Sequence, residues 1–549
     1  MGLVTGEGSM RKGSAMDRLR ANLAAAQIPV TEEDLERIEA DGYLERVVET
    51  VETLRHAEAA GEPDFLGSWE PDDRAASGSG LAGSSQESRG ESDGIPSTLT
   101  GVAELVRRRV VSPVELTKRA LDRIDARDRE LNLFQTLLTD SAMEAARRAE
   151  EEIGRGDYRG PLHGVPVAIK DLLEMRGTPT TAGSEVRTGH ASTVDAAAVE
   201  RFAAAGAVIV GKTRLSEFAY WPGSTNPHFG PTRNPRDPER DAGGSSSGSA
   251  AAVATECVYA ALGTDTGGSV RIPAALCGVV GHKPTFGRVS LFGCVPLAWS
   301  LDHLGPLARS AEDAALVLEA LAGPDGRDAR TRSGSDFRAE GVGVGTGAPD
   351  LAGLRVGVMG TDGSGQDLGS ADAVSAWRAS NRALEDMGAR LVEVDLSDMH
   401  LLWRVSAQML AVEAAAYHAE GLRRHYGKYG RFCRGRLVGA FAYGFDDMLR
   451  AQTVRRAIRE RWRRLWERVD VLSTPCQPDV APELGVAAST RFTNPFNALG
   501  WPTVSVPFGS GANGLPLGTQ LAGRPWDDGG VLRAAAALGR ASGSPDGRP

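Results

Sequence analysis

Apolar positions along this chain follow two rhythms, one helical and one extended. Between about 16 and 66, Leu44, Val47, Val48, Val51 and Leu54 recur at helical spacing, the single stripe of a helix with one buried face. Thr31 with Asp34 three residues later supplies a helix start of the capping-box kind. Such a stripe needs a cover: the main body, a second copy of the chain, or a partner subunit. The following stretch, EPDDRAASGSGLAGSSQESRGESDG (70–94), is almost without large apolar residues and cannot bury enough surface to order itself, so it reads as a flexible linker.

Beyond 97 the two rhythms alternate. Ser112, Pro113 and Glu115 stand at N-cap, N1 and N3 of a predicted helix. VPVAI (165–169) and AVIV (207–210) read as strands, AAAVERFAAAG (196–206) between them as a helix. GSAAAVATECVYAALG (248–263) is apolar nearly throughout and reads as one buried helix. LRVGVMG (354–360) is a further strand, followed by the helical ADAVSAWRASNRALEDMG. This alternation predicts α/β architecture, a mixed central sheet covered by helices. The expected organisation is a disordered start (1–15), a small helical appendage (16–66), a linker (67–96), a main domain (97–538) and a disordered tail (539–549).

Composition narrows the function. A formal net charge of −10 argues against extended contact with nucleic acid or an anionic membrane, each of which needs a basic face. The one locally basic stretch, LRAQTVRRAIRERWRRLWERVD (449–470), also carries Glu460 and Glu467 and reads as a solvated helix face. Five scattered cysteines without C-x-x-C spacing, and nine histidines without an H-E-x-x-H cluster, offer neither a disulfide framework nor metal ligands. No run of about 18 apolar residues reads as a membrane span. MGLVTGEGSMRKGSAM lacks the apolar core of a signal peptide, and Gly6 stands where a myristoylation site needs Ser or Thr. The expected location is cytoplasmic.

Two motifs mislead. GAVIVGKT (206–213) fits the phosphate-loop pattern letter for letter. A phosphate loop, however, needs a strand before its first glycine and a small flexible loop after it. Here a helix precedes Gly206, and three of the next four residues are β-branched, which favours a strand. GSSSG (244–248) matches the hydrolase elbow, but the polar NPRDPERDAGG precedes it where that elbow needs an apolar strand. What remains is a pair of Gly/Ser loops, DAGGSSSGS and GTDTGGSVR, at either end of the apolar run. A helix of that length spans about 20 Å, so the loops meet only if the chain doubles back. Gly267 and Gly268 allow N–H groups to converge beside a hydroxyl, as an oxyanion hole requires.

These stretches resemble the amidase signature family of serine hydrolases. The resemblance rests on GPLHGVPVAIKD (160–171), AGAVIVGKTRLSEFA (205–219), NPHFGPTRNPRDPERDAGGSSSGSAAAVA (226–254), LGTDTGGSVRIPAALCGVVGHKPTFGRVS (262–290) and SLDHLGPLARSAEDAALVLEAL (300–321), with NALGWPTVSVPFG and LPLGTQLAGRPWDD near the C-terminus. It covers roughly 97–535. It implies a Ser–cisSer–Lys triad: Ser269 as nucleophile, Ser245 after a cis peptide bond as relay, Lys170 as base. It also implies an oxyanion hole from the N–H groups of Thr266, Gly267, Gly268 and Ser269; no cofactor or metal is expected. Asp265 and Arg271 are expected to support the loop through an ion pair. Tyr220 and Trp221 stand where the family lines its acyl pocket. Ser247 occupies a position that is often Gly, and His282 one that is often apolar, where packing is its expected role.

Chemistry independent of the resemblance agrees. A serine hydroxyl needs a base, and a lysine serves only when neutral, its pKa of about 10.4 lowered by about 3 units through burial. A bridging hydroxyl both donates and accepts, so it can relay the proton. The first expectation is an amidase cleaving the C–N bond of a small-molecule amide through an acyl-enzyme. A second is the glutamine-hydrolysing subunit of a tRNA-dependent amidotransferase. A third, of another class, is a catalytically silent scaffold recruiting partners through its N-terminal helices. Specificity is expected from 400–450, with Trp403, Tyr417, Tyr426 and Tyr429.

Overall fold

A computed structural model describes residues 12–57, 94–332, 334–343 and 351–542. Most of the expected linker, and the last residues of the chain, lie outside these. Eleven strands form one sheet: β1 (Phe134–Leu137), β2 (Pro166–Lys170), β3 (Val208–Thr213), β4 (Ala260–Asp265), β5 (Val280–Lys283), β6 (His303–Ala308), β7 (Arg355–Met359), β8 (Arg390–Val394), β9 (Val471–Pro475), β10 (Thr503–Ser510) and β11 (Pro516–Gly523). Their spatial order is β1-β3-β2-β4-β6-β5-β10-β11-β9-β7-β8. The pairs β2–β3, β2–β4, β7–β8 and β7–β9 are parallel, while β4–β6, β5–β10 and β10–β11 are antiparallel. The sheet is therefore mixed, and helices cover it. Strands β2, β3 and β4 are buried along their whole length, their polar carboxyl ends included, and their apolar starts are those of parallel strands covered on both faces.

Local signals explain several element boundaries. The helix Pro113–Leu131 starts where Ser112 accepts the Glu115 N–H and Pro113 occupies the first turn. Residues 248–263 do not form one helix. The Ser247–Ala254 helix stops at Thr255, whose Oγ1 donates to the Ala251 carbonyl. Glu256 then adopts φ +59°, and the apolar run continues as β4. The polar pair Thr255-Glu256 marks the break, but the alanines and valines on either side carry no period, so the apolar pattern alone does not divide the run. This break is what lets the chain double back and brings its two Gly/Ser loops together. At the termini, the first helix starts at Lys12, inside the stretch expected to be disordered, and the last runs to Ala541, past the expected tail boundary at 539.

Three helices precede the sheet: α1 (Lys12–Ala25), α2 (Glu32–Ala40) and α3 (Tyr43–His56). Thr31 caps α2 by accepting the Asp34 N–H. The stripe of α3 packs into the body: Leu44, Val47, Val51 and Leu54 are buried in one cluster with residues of the Met399–His425 and Phe445–Arg463 helices. Arg450 of the latter donates to the carbonyls of Leu54, Arg55 and Ala57 at 2.8, 2.8 and 2.7 Å. The basic helix read as a solvated face thus spends one of its arginines on the orphan carbonyls at the end of α3.

Candidate active site

Strands β2 and β4 run parallel and end side by side, placing Lys170 next to Thr264 and the loop after it. Clefts beyond the carboxyl ends of parallel strands are the usual ligand sites of such sheets. Lys170 is fully buried. Its Nζ lies 2.7 Å from Ser245 Oγ, 2.9 Å from Ser246 Oγ and 2.9 Å from Thr264 Oγ1. Burial among these neutral hydroxyls pushes its pKa down to about 7. A neutral amine has two N–H donors and one lone pair, so one of the three hydroxyls must donate to it. Ser246 donates instead to the Thr264 carbonyl at 3.2 Å, which leaves Ser245 or Thr264 for that role. The Gly244–Ser245 peptide is cis.

Ser269 follows in the turn after β4. Its carbonyl accepts the Ser246 N–H at 3.2 Å, joining the two Gly/Ser loops, and it lines the main cavity. No hydrogen bond links the Ser245 and Ser269 hydroxyls, and catalytic contacts of this kind often tighten only around substrate. The amides of Thr266, Gly267 and Ser269 have no acceptor among the described residues. Gly268 differs from expectation: its N–H donates to Asp265 Oδ1 at 2.8 Å, so it holds the loop rather than facing an oxyanion. Its φ of +127° and the 2.2 Å that would separate a Cβ from Thr493 Oγ1 leave only glycine tolerable there.

Asp265 anchors this loop. Arg271 reaches it with Nε at 3.0 Å and Nη2 at 2.9 Å, both side chains fully buried. Asp265 also accepts from the Val270 amide and Asn497 Nδ2. The Arg271 guanidinium holds the Asp265 carboxyl well below its usual range despite burial. Asn497, Thr493 and Gln520 complete the surroundings of Arg271. Sequence reasoning singles out none of the three, because more than 220 residues separate them from Arg271.

The GKT lysine is structural. Lys212 is buried, 2.8 Å from Asp171, and donates to the Pro179 carbonyl and Thr180 Oγ1. His282 pairs with Asp528 at 3.2 Å, and burial lowers its pKa.

A cavity of about 730 Å³ opens over Ser269, Thr266 and Gly267. Tyr220 and Trp221 both line it, the Trp221 ring lying tilted against Phe432 with centroids 5.4 Å apart. Of the four aromatics expected to shape specificity, Trp403 is in the wall. Tyr417 instead packs edge-on against Trp299 and His418, Tyr426 donates to Asp34, and Tyr429 pairs with His418. Among the described residues, no group of three His, Cys, Asp or Glu side chains is placed to hold a metal ion, and no helix is long and apolar enough to cross a membrane.

Comparison with known proteins agrees with this geometry. The family model Amidase matches residues 115–532. A glutamyl-tRNA(Gln) amidotransferase chain of Anaeromyxobacter dehalogenans, one subunit of that enzyme, is 42% identical over 475 residues, covering 79% of this chain and 94% of the relative. An amidase of Pseudomonas putida is 40% identical over 461 residues, covering 81% and 96%. Among solved structures, an inhibitor-bound complex described as revealing the origins of an s-triazine catabolic enzyme matches with TM-score 0.76 and 34% identity over 81% of this chain and 98% of that one. The chain belongs to the amidase family, whose α/β fold and amide-cleaving chemistry its sheet and buried lysine fit.

Proposed function

We propose that this protein hydrolyses a carboxamide through a covalent acyl-serine intermediate. The carrying observation is Lys170, fully buried, held near pKa 7 and in contact with Ser245. In this reading Ser269 attacks the amide carbonyl and its proton passes through Ser245 to Lys170. The N–H groups of Thr266, Gly267 and Ser269 receive the oxyanion. Lys170 returns the proton through Ser245 to the leaving nitrogen. Water then cleaves the acyl-enzyme along the same path. Asp265 and Arg271 position the loop without touching substrate, and Tyr220 and Trp221 form part of the acyl pocket.

Two identities suit this chemistry. The amidotransferase relatives favour glutamine as substrate, with the ammonia handed to a partner subunit. They support that reading more strongly than the small-molecule amidase expected first. The Pseudomonas putida amidase and helices α1–α3, which precede the matched region, support a self-contained enzyme.

The test is ammonia and amine release from glutamine, aliphatic amides and anilides, with Ser269→Ala beside the wild type. Release that disappears in the variant supports the hydrolase. Release that persists unchanged, or none from any member with or without a partner subunit, overturns it.

A further inference from the structure

Helices α2 and α3 form one wall of the cavity above Ser269, through Ile38, Tyr43, Arg46, Val47 and Thr50. They lie outside the region matched by the family, so this wall is an addition to the shared site. It is firmly attached: besides the apolar stripe, Asp34 bonds Arg434 at 3.0 Å and Tyr426 at 2.9 Å, and Glu49 pairs with Arg404.

The excess of cationic over acidic side chains in the cavity comes from the body, and the wall adds both signs, Arg37 and Arg46 beside Asp34, Asp41 and Glu49. Five arginines but three carboxylates line the cavity. Arg37 is paired with Glu33 and Asp34, and Arg404 with Glu49. Arg46, Arg431 and Arg436 have no carboxylate within ion-pair distance among the described residues, and Asp41, the remaining acid, is exposed on the rim. Arg436 comes from the body and Arg46 from α3. The Arg436 guanidinium lies 4.5 Å from the Tyr220 ring, and its buried Nε has no hydrogen-bond partner. Arg46 lies 5.6 Å from the Tyr43 ring and spends one Nη on the Asp41 carbonyl at 2.8 Å. Tyr43 stands in the field of both guanidiniums. Arg46 is exposed at the cavity mouth with Glu45 in its field, whereas Arg436 is partly buried; two cations lining one cavity without a carboxylate in ion-pair contact favour an anionic ligand between them.

We propose that α3 completes the acyl pocket and that Arg46 and Arg436 together bind an anionic group on the acyl portion of the substrate, so that the enzyme selects carboxamides bearing a carboxylate over neutral ones. The inference rests on the reading that Ser269 acylates in this cavity. Planar guanidiniums suit a carboxylate because they offer paired donors in its own geometry.

The experiment measures calorimetric binding to the full-length Ser269→Ala protein, which cannot turn over. Glutaramate, the monoamide of a five-carbon dicarboxylic acid, is compared with neutral pentanamide. Glutaramate is expected to bind about 10- to 100-fold more tightly. Adding Arg436→Gln or Arg46→Gln is expected to remove most of that preference, weakening glutaramate far more than pentanamide. Equal affinity for the two amides, no detectable binding of either, or a preference that survives both substitutions overturns the inference. Hydrolysis is read separately in the Ser269 enzyme. A retained binding preference without Ser269-dependent turnover would sink the hydrolase reading alone, and turnover without preference would sink this inference alone.

Discussion

Lys170 and Lys212 sit on adjacent parallel strands, offset by one position in the register, and both are fully buried. Their surroundings differ. Lys212 faces Asp171 at 2.8 Å, so its charge is matched on the spot. Lys170 meets only hydroxyls, which solvate a neutral amine well but do not neutralise an ammonium. Burial depth alone therefore does not separate a structural lysine from a basic one; a carboxylate among the immediate contacts does.

Substitution breaks this comparison most sharply. Lys170→Met is expected to lower kcat about 10³-fold or more while keeping the thermal midpoint, since no buried partner charge is left behind. Lys212→Met strands Asp171 in the interior and is expected to cost about 3–5 kcal/mol of stability, read as a fall in the midpoint of chemical unfolding. Pairing it with Asp171→Leu should recover much of that stability together with activity. Activity retained by Lys170→Met would reverse the assignment of the two lysines.

The next effect is in pH. Lys170 titrates near 7 in the folded protein rather than at its ordinary 10.5, and only the neutral amine accepts a proton. kcat/KM should therefore be flat in mild base and fall about tenfold per pH unit once well below 7. Initial rates across pH 5–9 check this. A rate that rises as pH falls would contradict the sign.

The smallest expected change concerns the acyl pocket. Trp221→Leu removes the aromatic partner of Phe432 but touches neither lysine. It should raise KM for larger acyl groups about fivefold, the scale of about 1 kcal/mol of lost aromatic contact, with the pH profile unmoved. A shift in that profile would tie the pocket wall to Lys170.

Much of the fold is legible in the sequence because caps and periods are local. The Ser112 cap, the β2 and β3 runs and the α3 stripe each declare themselves within a dozen residues. The run 248–263 reads wrongly as one helix because small apolar residues suit helix and strand alike, and the break depends on Glu256 adopting a left-handed backbone. At the site, Lys170, Ser245 and Ser269 stand out through a resemblance carried by many ordered motifs. Gly268 reads wrongly as an oxyanion donor because a sequence shows that an N–H exists but not where it points; Asp265 claims it. Arg46 and Arg436 escape the sequence for another reason. They line one cavity whose α3 wall docks on the body through contacts such as Arg450 with Leu54, nearly 400 residues apart along the chain.

The assignment of Lys170 as the base that activates Ser269 is best tested by the pH dependence of fluorophosphonate labelling. Labelling reads nucleophile activation without requiring the natural substrate. The wild-type labelling rate is expected to rise through about pH 7 and then level, to be abolished in Ser269→Ala, and to be slow and nearly free of that inflection in Lys170→Met. Rapid labelling of the Lys170→Met protein with the same inflection would contradict the assignment.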